Sequence, residues 1–265
     1  MSAAVPCHAS GGTVASPAFQ DLIARHGLRD FERLMRRADG TVIKHAIAQR
    51  KTVRLDLPGG PAVYLKRHYP SGFFSALKKL FSPEPTALDE FLAIEAFHQS
   101  GIPTVTAIAA GRRAAGFLRT ESFLVTLGLE GCTKLEDVLA RPLPREEKEG
   151  LISKAAQLVK KMHAAGFNHR DLYLCHILCD AGGDLSIVDL HRVQRRSCVP
   201  RRWLVKDLAA LNYSAPPRVS RADRLRFMKE YLGAGRLGRF EKDLLRSVLK
   251  KSRSMGEHNR KRAEN

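Results

Sequence analysis

Residues 168–189 read Asn168-His169-Arg170-Asp171-Leu172-Tyr173-Leu174-Cys175-His176, then Ile177 to Cys179, then Asp180-Ala181-Gly182-Gly183-Asp184, then Leu185 to Val188 and Asp189. Two short apolar runs around a turn-forming cluster are the pattern of a β-hairpin. Each open end carries an acid. Antiparallel strands bring the chain back to where it started, so Asp171 and Asp189 are expected to lie close together although 18 positions separate them. Phosphoryl transfer needs such a pair: one carboxylate to orient and deprotonate an attacking hydroxyl, another to hold magnesium on the phosphates.

Upstream of this stretch, Leu151, Ile152, Ala155, Leu158, Val159 and Met162 recur at helical spacing, which predicts an amphipathic helix from about Pro144 to Gly166. Earlier still, Thr41–Ile43, Thr52–Leu57 and Ala62–Lys66 read as short strands, the last two joined by Pro58-Gly59-Gly60-Pro61. A helix is expected over Thr86–Gln99, with Leu88, Phe91 and Leu92 on one face and a stop at Ser100-Gly101. Val105–Ala110 and Ser122–Leu127 are further strands. Met1–Pro17, rich in small residues, reads as a mobile leader, and Phe19–Met35 as one short helix. The expected organisation is a leader (1–17), a sheet-rich N-lobe (18–127), a mainly helical C-lobe (128–249) and a basic tail (250–265) that frays.

The 265 residues are 44% hydrophobic and 27% charged, enough apolar material for a core, which excludes a disordered or collagen-like chain. No run approaches the roughly 18 uninterrupted apolar residues of a transmembrane helix, and the start lacks the apolar block of a secretory signal. A cytoplasmic protein is expected, with reduced thiols, because the five cysteines show no C-x-x-C pairing. The six residues His163, His169, His176, His191, Cys175 and Cys179 match no common zinc-ligand spacing.

Net charge is +18, and the last 74 residues hold 21 Lys or Arg against 7 Asp or Glu. An acidic partner is expected. Apolar Leu225, Met228, Tyr231 and Leu232, after a Ser220-to-Asp223 capping signature, place part of this basic segment on a folded helix. A solvated helical face is the plain reading of this charge, and an anionic membrane surface or nucleic acid the sharper one; no RNA-binding motif or basic zipper accompanies it, so nucleic acid is not expected.

His169-Arg170-Asp171 resembles the catalytic loop of protein kinases, with Asp189-Leu190-His191 in the place of their metal-binding Asp-Phe-Gly. Val63-Tyr64-Leu65-Lys66 resembles the strand whose lysine reaches the nucleotide phosphates. A closer resemblance is to the heptose kinases of the lipopolysaccharide inner core, the Kdo/heptose kinase branch of the protein-kinase-like fold. It is carried by Met162-His163-Ala164-Ala165-Gly166-Phe167-Asn168-His169-Arg170-Asp171 through His176, by Ser186-Ile187-Val188-Asp189-Leu190-His191-Arg192, by Pro200-Arg201-Arg202-Trp203 with Lys206-Asp207-Leu208, and by Arg226-Phe227-Met228-Lys229. The likeness is close over about residues 160–232, looser over 40–140 and absent from the leader.

The resemblance implies an α+β, protein-kinase-like bilobal fold: an N-terminal antiparallel sheet lobe with one main helix, and a mainly helical C-terminal lobe. It implies ATP and Mg2+ as cofactors and a heptose of the lipopolysaccharide core, at the inner face of the cytoplasmic membrane, as acceptor. Position by position it makes Asp171 the catalytic base, Asp189 a magnesium ligand, Lys66 a phosphate contact, Glu90 the lysine's partner, Asp207 a brace for the catalytic loop, and the backbone from Val125 to Leu127 the adenine contact. Glu95 competes with Glu90, and periodicity leaves the two open.

His176 stands where protein kinases carry the asparagine of a second magnesium. It is a candidate metal position, although nitrogen suits magnesium poorly and a hydrogen bond within the loop is its other reading. No glycine lies between Lys44 and Lys51, so a glycine-rich phosphate cradle is absent, and Arg50 or Lys51 stands in for it or faces solvent. Trp203 reads as a packing anchor beside the Asp207 helix. The competing functions are a kinase for another acceptor (Kdo, a small molecule or a protein) and a non-catalytic basic scaffold.

Overall fold

The computed structural model describes residues 12–47, 50–69, 85–116 and 119–263, with backbone only at 44–47 and 262–263. The chain divides into two compact units: Met1–Phe97 with Val105–Leu129, and His98–Thr104 with Glu130–Asn265.

The first unit contains β1 (Thr13–Ala15), α1 (Gln20–His26), α2 (Phe31–Arg36), β2 (Thr41–Ile47), β3 (Arg50–Asp56), β4 (Ala62–His68), α3 (Ala87–Gln99), β5 (Ala107–Ala114) and β6 (Thr120–Leu127). The strands form one antiparallel sheet in the order β1-β5-β6-β4-β3-β2. Alternation decides which way each side chain of β4 points. Val63, Leu65 and Arg67 are buried, while Tyr64, Lys66 and His68 occupy the other face. Val63 and Leu65 join Val53, Phe123 and Val125 in a core that Leu22 and Leu34 of α1 and α2 complete. Arg67 is tolerated there because its Nη1 donates to the carbonyls of Met35 (3.1 Å) and Arg37 (2.8 Å) at the end of α2.

Three expectations change in this unit. The leader is not unstructured throughout: Thr13–Ala15 pairs antiparallel with β5, Thr13 opposite Gly111, and covers an edge of backbone donors and acceptors. Residues 1–11 lie outside the described residues. The single helix over Phe19–Met35 is two helices, because Gly27 closes α1 in a left-handed conformation (φ 64°) and the Asp30 side chain opens α2 by accepting from the Arg33 amide. Leu92 does not belong to the buried face of α3: it is 51% exposed, and Ala87, Glu90, Phe91, Ile94 and Phe97 are inside.

The second unit contains β7 (Thr133–Lys134), α4 (Leu135–Ala140), α5 (Arg145–Ala164), β8 (Phe167–Asn168), β9 (Ile177–Cys179), β10 (Leu185–Ile187), β11 (Gln194–Arg195), α6 (Arg201–Ser214), α7 (Arg221–Leu232) and α8 (Arg239–Ala263). The hairpin forms as β9 and β10, with Leu185 opposite Cys179 and Ile187 opposite Ile177. Gly166 ends the α5 turn at φ 85°, and a Cβ there would sit 2.0 Å from the Arg196 carbonyl oxygen, so only glycine lets β8 and β11 approach. α7 opens on a complete Ser220–Asp223 capping box. Leu225, expected on its apolar face, is exposed.

The basic tail does not fray at Lys250. α8 continues to Ala263, held late in its course by polar contacts that apolar periodicity cannot reveal: Asn212 Nδ2 donates to Ser252 Oγ (2.8 Å) and Asn259 Nδ2 to Tyr213 Oη (3.0 Å). The helices line a partly open, mainly apolar cavity of about 470 Å3 walled by Leu139, Ile152, Leu211, Met228 and Val248. Among the described residues no helix is long and apolar enough to cross a membrane, and Cys132, Cys175, Cys179 and Cys198 are free thiols.

Candidate active site

The segment between β8 and β9 carries His169, Arg170 and Asp171, and Arg170 has a left-handed backbone (φ 73°). For a residue with a side chain this conformation is strained by about 1–3 kcal/mol and persists only where the surroundings impose it. Asp207 imposes it. From the buried face of α6 its two carboxylate oxygens accept the successive amides of His169 (2.7 Å) and Arg170 (2.8 Å). Seven residues further along α6, two turns and so on the same face, Ser214 Oγ accepts the Leu174 amide (2.9 Å). One helix therefore grips the loop at both ends.

Asp207 is itself held. His163 Nε2 lies 3.3 Å from Asp207 Oδ2, and His163 Nδ1 lies 2.9 Å from Tyr231 Oη. Since a carboxylate only accepts, Nε2 carries the proton and the tyrosine hydroxyl donates to Nδ1. Burial, with the Asp207 charge adding to it, pushes the Tyr231 hydroxyl well above its usual value, so this chain of hydrogen bonds keeps its protons.

The second aspartate lies past the hairpin. Asp189 also has a left-handed backbone (φ 65°) and leads into a 3-10 turn. His176 links the two acids: its Nδ1 donates to the Asp171 carbonyl (2.8 Å), while its Nε2 sits 3.5 Å from Asp189 Oδ2. Asp189 Oδ1 meets His191 Nδ1 at 2.9 Å. Burial opposes charge on His176, but the Cys175 side chain, the Asp189 carboxylate and the Asp171 carbonyl outweigh it and hold the imidazole above its usual value. With Nδ1 hydrogen-bonded to the Asp171 carbonyl and Nε2 facing the Asp189 carboxylate at ion-pair distance, His176 sits between the two residues. His169 stacks beside it at 5.9 Å and donates from Nε2 to the Val188 carbonyl (3.1 Å); burial pushes its pKa down and keeps it neutral.

Asp171 is not a bare carboxylate. Arg192 Nη1 reaches both of its oxygens, at 3.0 and 2.9 Å. Around this pair stand Arg170, whose guanidinium lies 5.2 Å over the Trp203 ring, and Lys206, 5.6 Å from the same ring. Burial pushes the Lys206 ammonium below its usual value; Asp171 opposes that, and Arg192 and Arg170 reinforce it.

In the first unit Lys66 sits on β4 between Thr52 of β3 and Leu124 of β6. Its Nζ lies 2.6 Å from Glu90 Oε1, which decides between Glu90 and Glu95: Glu90 is on the buried face of α3, and Glu95 is half-buried. Val125 is a core residue in the middle of the sheet, and the Leu127 amide donates to the Thr106 carbonyl (2.8 Å). Their backbone is thus engaged within the sheet, whose pairing ends after Leu127. Arg50 and Lys51 lie on β3, and residues 48–49 between β2 and β3 are outside the described residues.

The sequence pointed to Asp207 through its Lys-Asp-Leu motif but not to Arg192, Ser214, Tyr231 or the role of His163. Ser214 had a usable signal, its seven-residue spacing from Asp207 on a predicted helix. Among the described residues no three His, Cys, Asp or Glu side chains converge as a ready-made metal site.

The family model for lipopolysaccharide kinases (Kdo/WaaP) matches residues 62–231. The chain is 38% identical over 197 residues to the lipopolysaccharide core heptose(I) kinase WaaP of Pseudomonas aeruginosa, covering 69% of this chain and 73% of that protein. To the Escherichia coli K12 enzyme of the same name it is 35% identical over 214 residues, 75% and 80% of the two chains. A solved structure, WaaP in complex with acyl carrier protein, superposes with a TM-score of 0.70 at 32% identity, covering 91% of this chain and 98% of that one. The matched span contains Lys66, Glu90, Asp171, Asp189, Arg192 and Asp207 together. The chain belongs to the lipopolysaccharide kinase (Kdo/WaaP) family.

Proposed function

We propose that this protein is an ATP-dependent kinase that phosphorylates a heptose hydroxyl of the lipopolysaccharide inner core. The observation that carries the proposal is the placement of His176, bonded to the Asp171 main-chain carbonyl and 3.5 Å from the Asp189 carboxylate, beside a loop that Asp207 holds in a strained conformation. In the reaction the acceptor hydroxyl gives its proton to an Asp171 oxygen as its own oxygen bonds to the γ-phosphorus. The bond from that phosphorus to the β,γ-bridging oxygen breaks, and ADP leaves with the electron pair. Lys66, held by Glu90, contacts the nucleotide phosphates. The adenine meets backbone at the end of β6, beyond Leu127, where groups are released from the sheet.

Magnesium takes oxygen ligands and is commonly held by one or two carboxylates together with substrate phosphates. Asp189 fits that chemistry, and His176, a nitrogen donor already engaged, does not; its place is to orient Asp189. Magnesium on Asp189 would neutralise charge on the transferring phosphate.

Two partners follow at lower resolution. Arg239, Lys242, Arg246, Lys250 and Arg253 recur every three or four residues along α8, with Phe240 87% exposed at its start. This basic stripe suits an anionic membrane surface carrying the acceptor. The solved relative's complex suggests an acyl carrier protein as a further partner, and the apolar cavity of the second unit has the lining an acyl chain would require.

The test is phosphoryl transfer by the purified full chain from ATP and Mg2+ to deacylated core oligosaccharide, read by mass spectrometry. One added phosphate on a heptose is expected, dependent on magnesium and lost in Asp189→Asn. Phosphate on Kdo instead would replace the acceptor, and undiminished transfer by Asp189→Asn would overturn the metal assignment.

A further inference from the structure

Three cations, Arg170, Arg192 and Lys206, surround one carboxylate, Asp171. The neighbouring acid, Asp207, is fully committed to the His169 and Arg170 amides and to His163. Among the described residues the Arg170 guanidinium makes no hydrogen bond, and its Nε is buried without a partner. Lys206 has the Trp203 face and no anion in contact. Arg192 uses a single nitrogen for the Asp171 carboxylate. Partly buried cations without matching anions are unfavourable in a finished structure. They are therefore the signature of a site that an anion completes.

A second observation concerns the base itself. Both oxygens of Asp171 are engaged by Arg192 Nη1, so an incoming hydroxyl must displace that contact to reach them. The Asp171–Arg192 pair is only partly buried, with side chains 19% and 37% exposed, so it can exchange partners without stranding a charge in the interior.

We infer that Arg170, Arg192 and Lys206 form a subsite for an acidic group, a carboxylate or phosphate, carried by the sugar acceptor next to the hydroxyl to be phosphorylated, and that its arrival draws Arg192 away from Asp171 and frees the base. This rests on the kinase reading and adds the three residues that recognise the acceptor's acidic group and so discriminate against a neutral sugar. Arg192 is a positioning and specificity residue. In the resting enzyme it restrains Asp171, and in the acceptor complex it orients the incoming sugar. A two-pronged guanidinium suits either anion.

The test uses the full chain and two probes: deacylated core oligosaccharide, and the same oligosaccharide with its carboxylates reduced to alcohols and its phosphates removed. Trp203 is the only tryptophan, and its ring lies against both Arg170 and Lys206, so its fluorescence reports occupancy of the subsite without turnover. The acidic probe should shift the emission and bind at least about tenfold more tightly than the neutralised one, the effect of losing one or two charge-assisted hydrogen bonds. Arg192→Gln and Lys206→Gln should reduce that preference, in affinity and in acceptor KM, to about twofold or less, and Arg192→Lys should restore part of it. Equal binding of both probes by the wild type, or a preference unchanged in both glutamine variants, overturns the inference. An emission shift of the same size with ATP and Mg2+ alone also overturns it, by assigning the cluster to the nucleotide. Transfer to neither probe, with discrimination intact in fluorescence, would count against the kinase reading and leave the subsite standing.

Discussion

Two ion pairs, one in each unit, use the same chemistry in opposite ways. Lys66 and Glu90 meet at 2.6 Å with the carboxylate only 2% exposed and the lysine 23%. Asp171 and Arg192 meet at 2.9 Å, both partly open to solvent. A carboxylate as deep as Glu90 cannot afford to lose its partner, so that pair is permanent and its consequence is the fixed position of Lys66. The Asp171 pair sits where water can replace either partner, so it can open when an acceptor arrives. Burial, more than distance, separates a pair that builds the site from a pair that regulates access to it.

The largest expected effect lies in the exchangeable pair. Asp171→Asn removes the proposed proton acceptor and should lower kcat by about 10² to 10⁴-fold, the range for a positioned general base. Because the pair is partly open to solvent, the same change should move stability by no more than about 1 kcal/mol. Denaturant titration beside the transfer assay checks both halves. A large stability loss would mean that this pair is structural, and the contrast with Lys66 and Glu90 would fail.

The buried pair should behave the other way round. Lys66→Met leaves Glu90 buried without its cation. Breaking a buried pair costs about 3–5 kcal/mol, and the partial exposure of Lys66 reduces this to roughly 2–3. Lys66→Met combined with Glu90→Leu should regain most of that stability while transfer stays lost, since an apolar replacement satisfies the interior but contacts no phosphate. If the double variant is no more stable than Lys66→Met, desolvation of Glu90 is not what the pair answers.

How far the sequence could be read follows from the range of the interactions involved. The β9–β10 hairpin was legible because its turn residues and two acids lie within one short segment. The partner of Lys66 was not, since Glu90 shares a stripe with Ile94 and Phe97 while Glu95 shares one with Phe91 and Leu92. Only the folded contact, Glu90 buried and 2.6 Å from Lys66, decides between them. Arg192 was missed because its meaning depends on a contact across 21 positions. β1 was missed because three residues show no periodicity, and the end of α8 because serine and asparagine contacts replace an apolar stripe there. The residues proposed to carry chemistry were visible as motifs. The parts that restrain and orient them, His163, Tyr231 and Arg192, were visible only as geometry.

A third pair, Lys148 with Asp223 at 3.0 Å, lies between the two extremes, its carboxylate buried and its lysine partly open. Burial raises the Asp223 pKa, but hydrogen bonds from Lys148 and Ser220 overcome that and hold the carboxyl below its ordinary value of 3.8. A carboxyl depressed by folding contributes stability that is complete above its unfolded value and is lost as pH falls through the folded one. The unfolding temperature of the wild type should therefore decline below about pH 4. Asp223→Asn should lie lower at pH 7 and vary less with pH, so that the two curves converge in acid. The acid limb is diagnostic because the Ser220 capping box alone would survive as a neutral hydrogen bond, whereas the Lys148 attraction disappears on protonation. Curves that stay parallel from pH 7 to pH 3 would place the contribution of Asp223 in the cap and not in the charge.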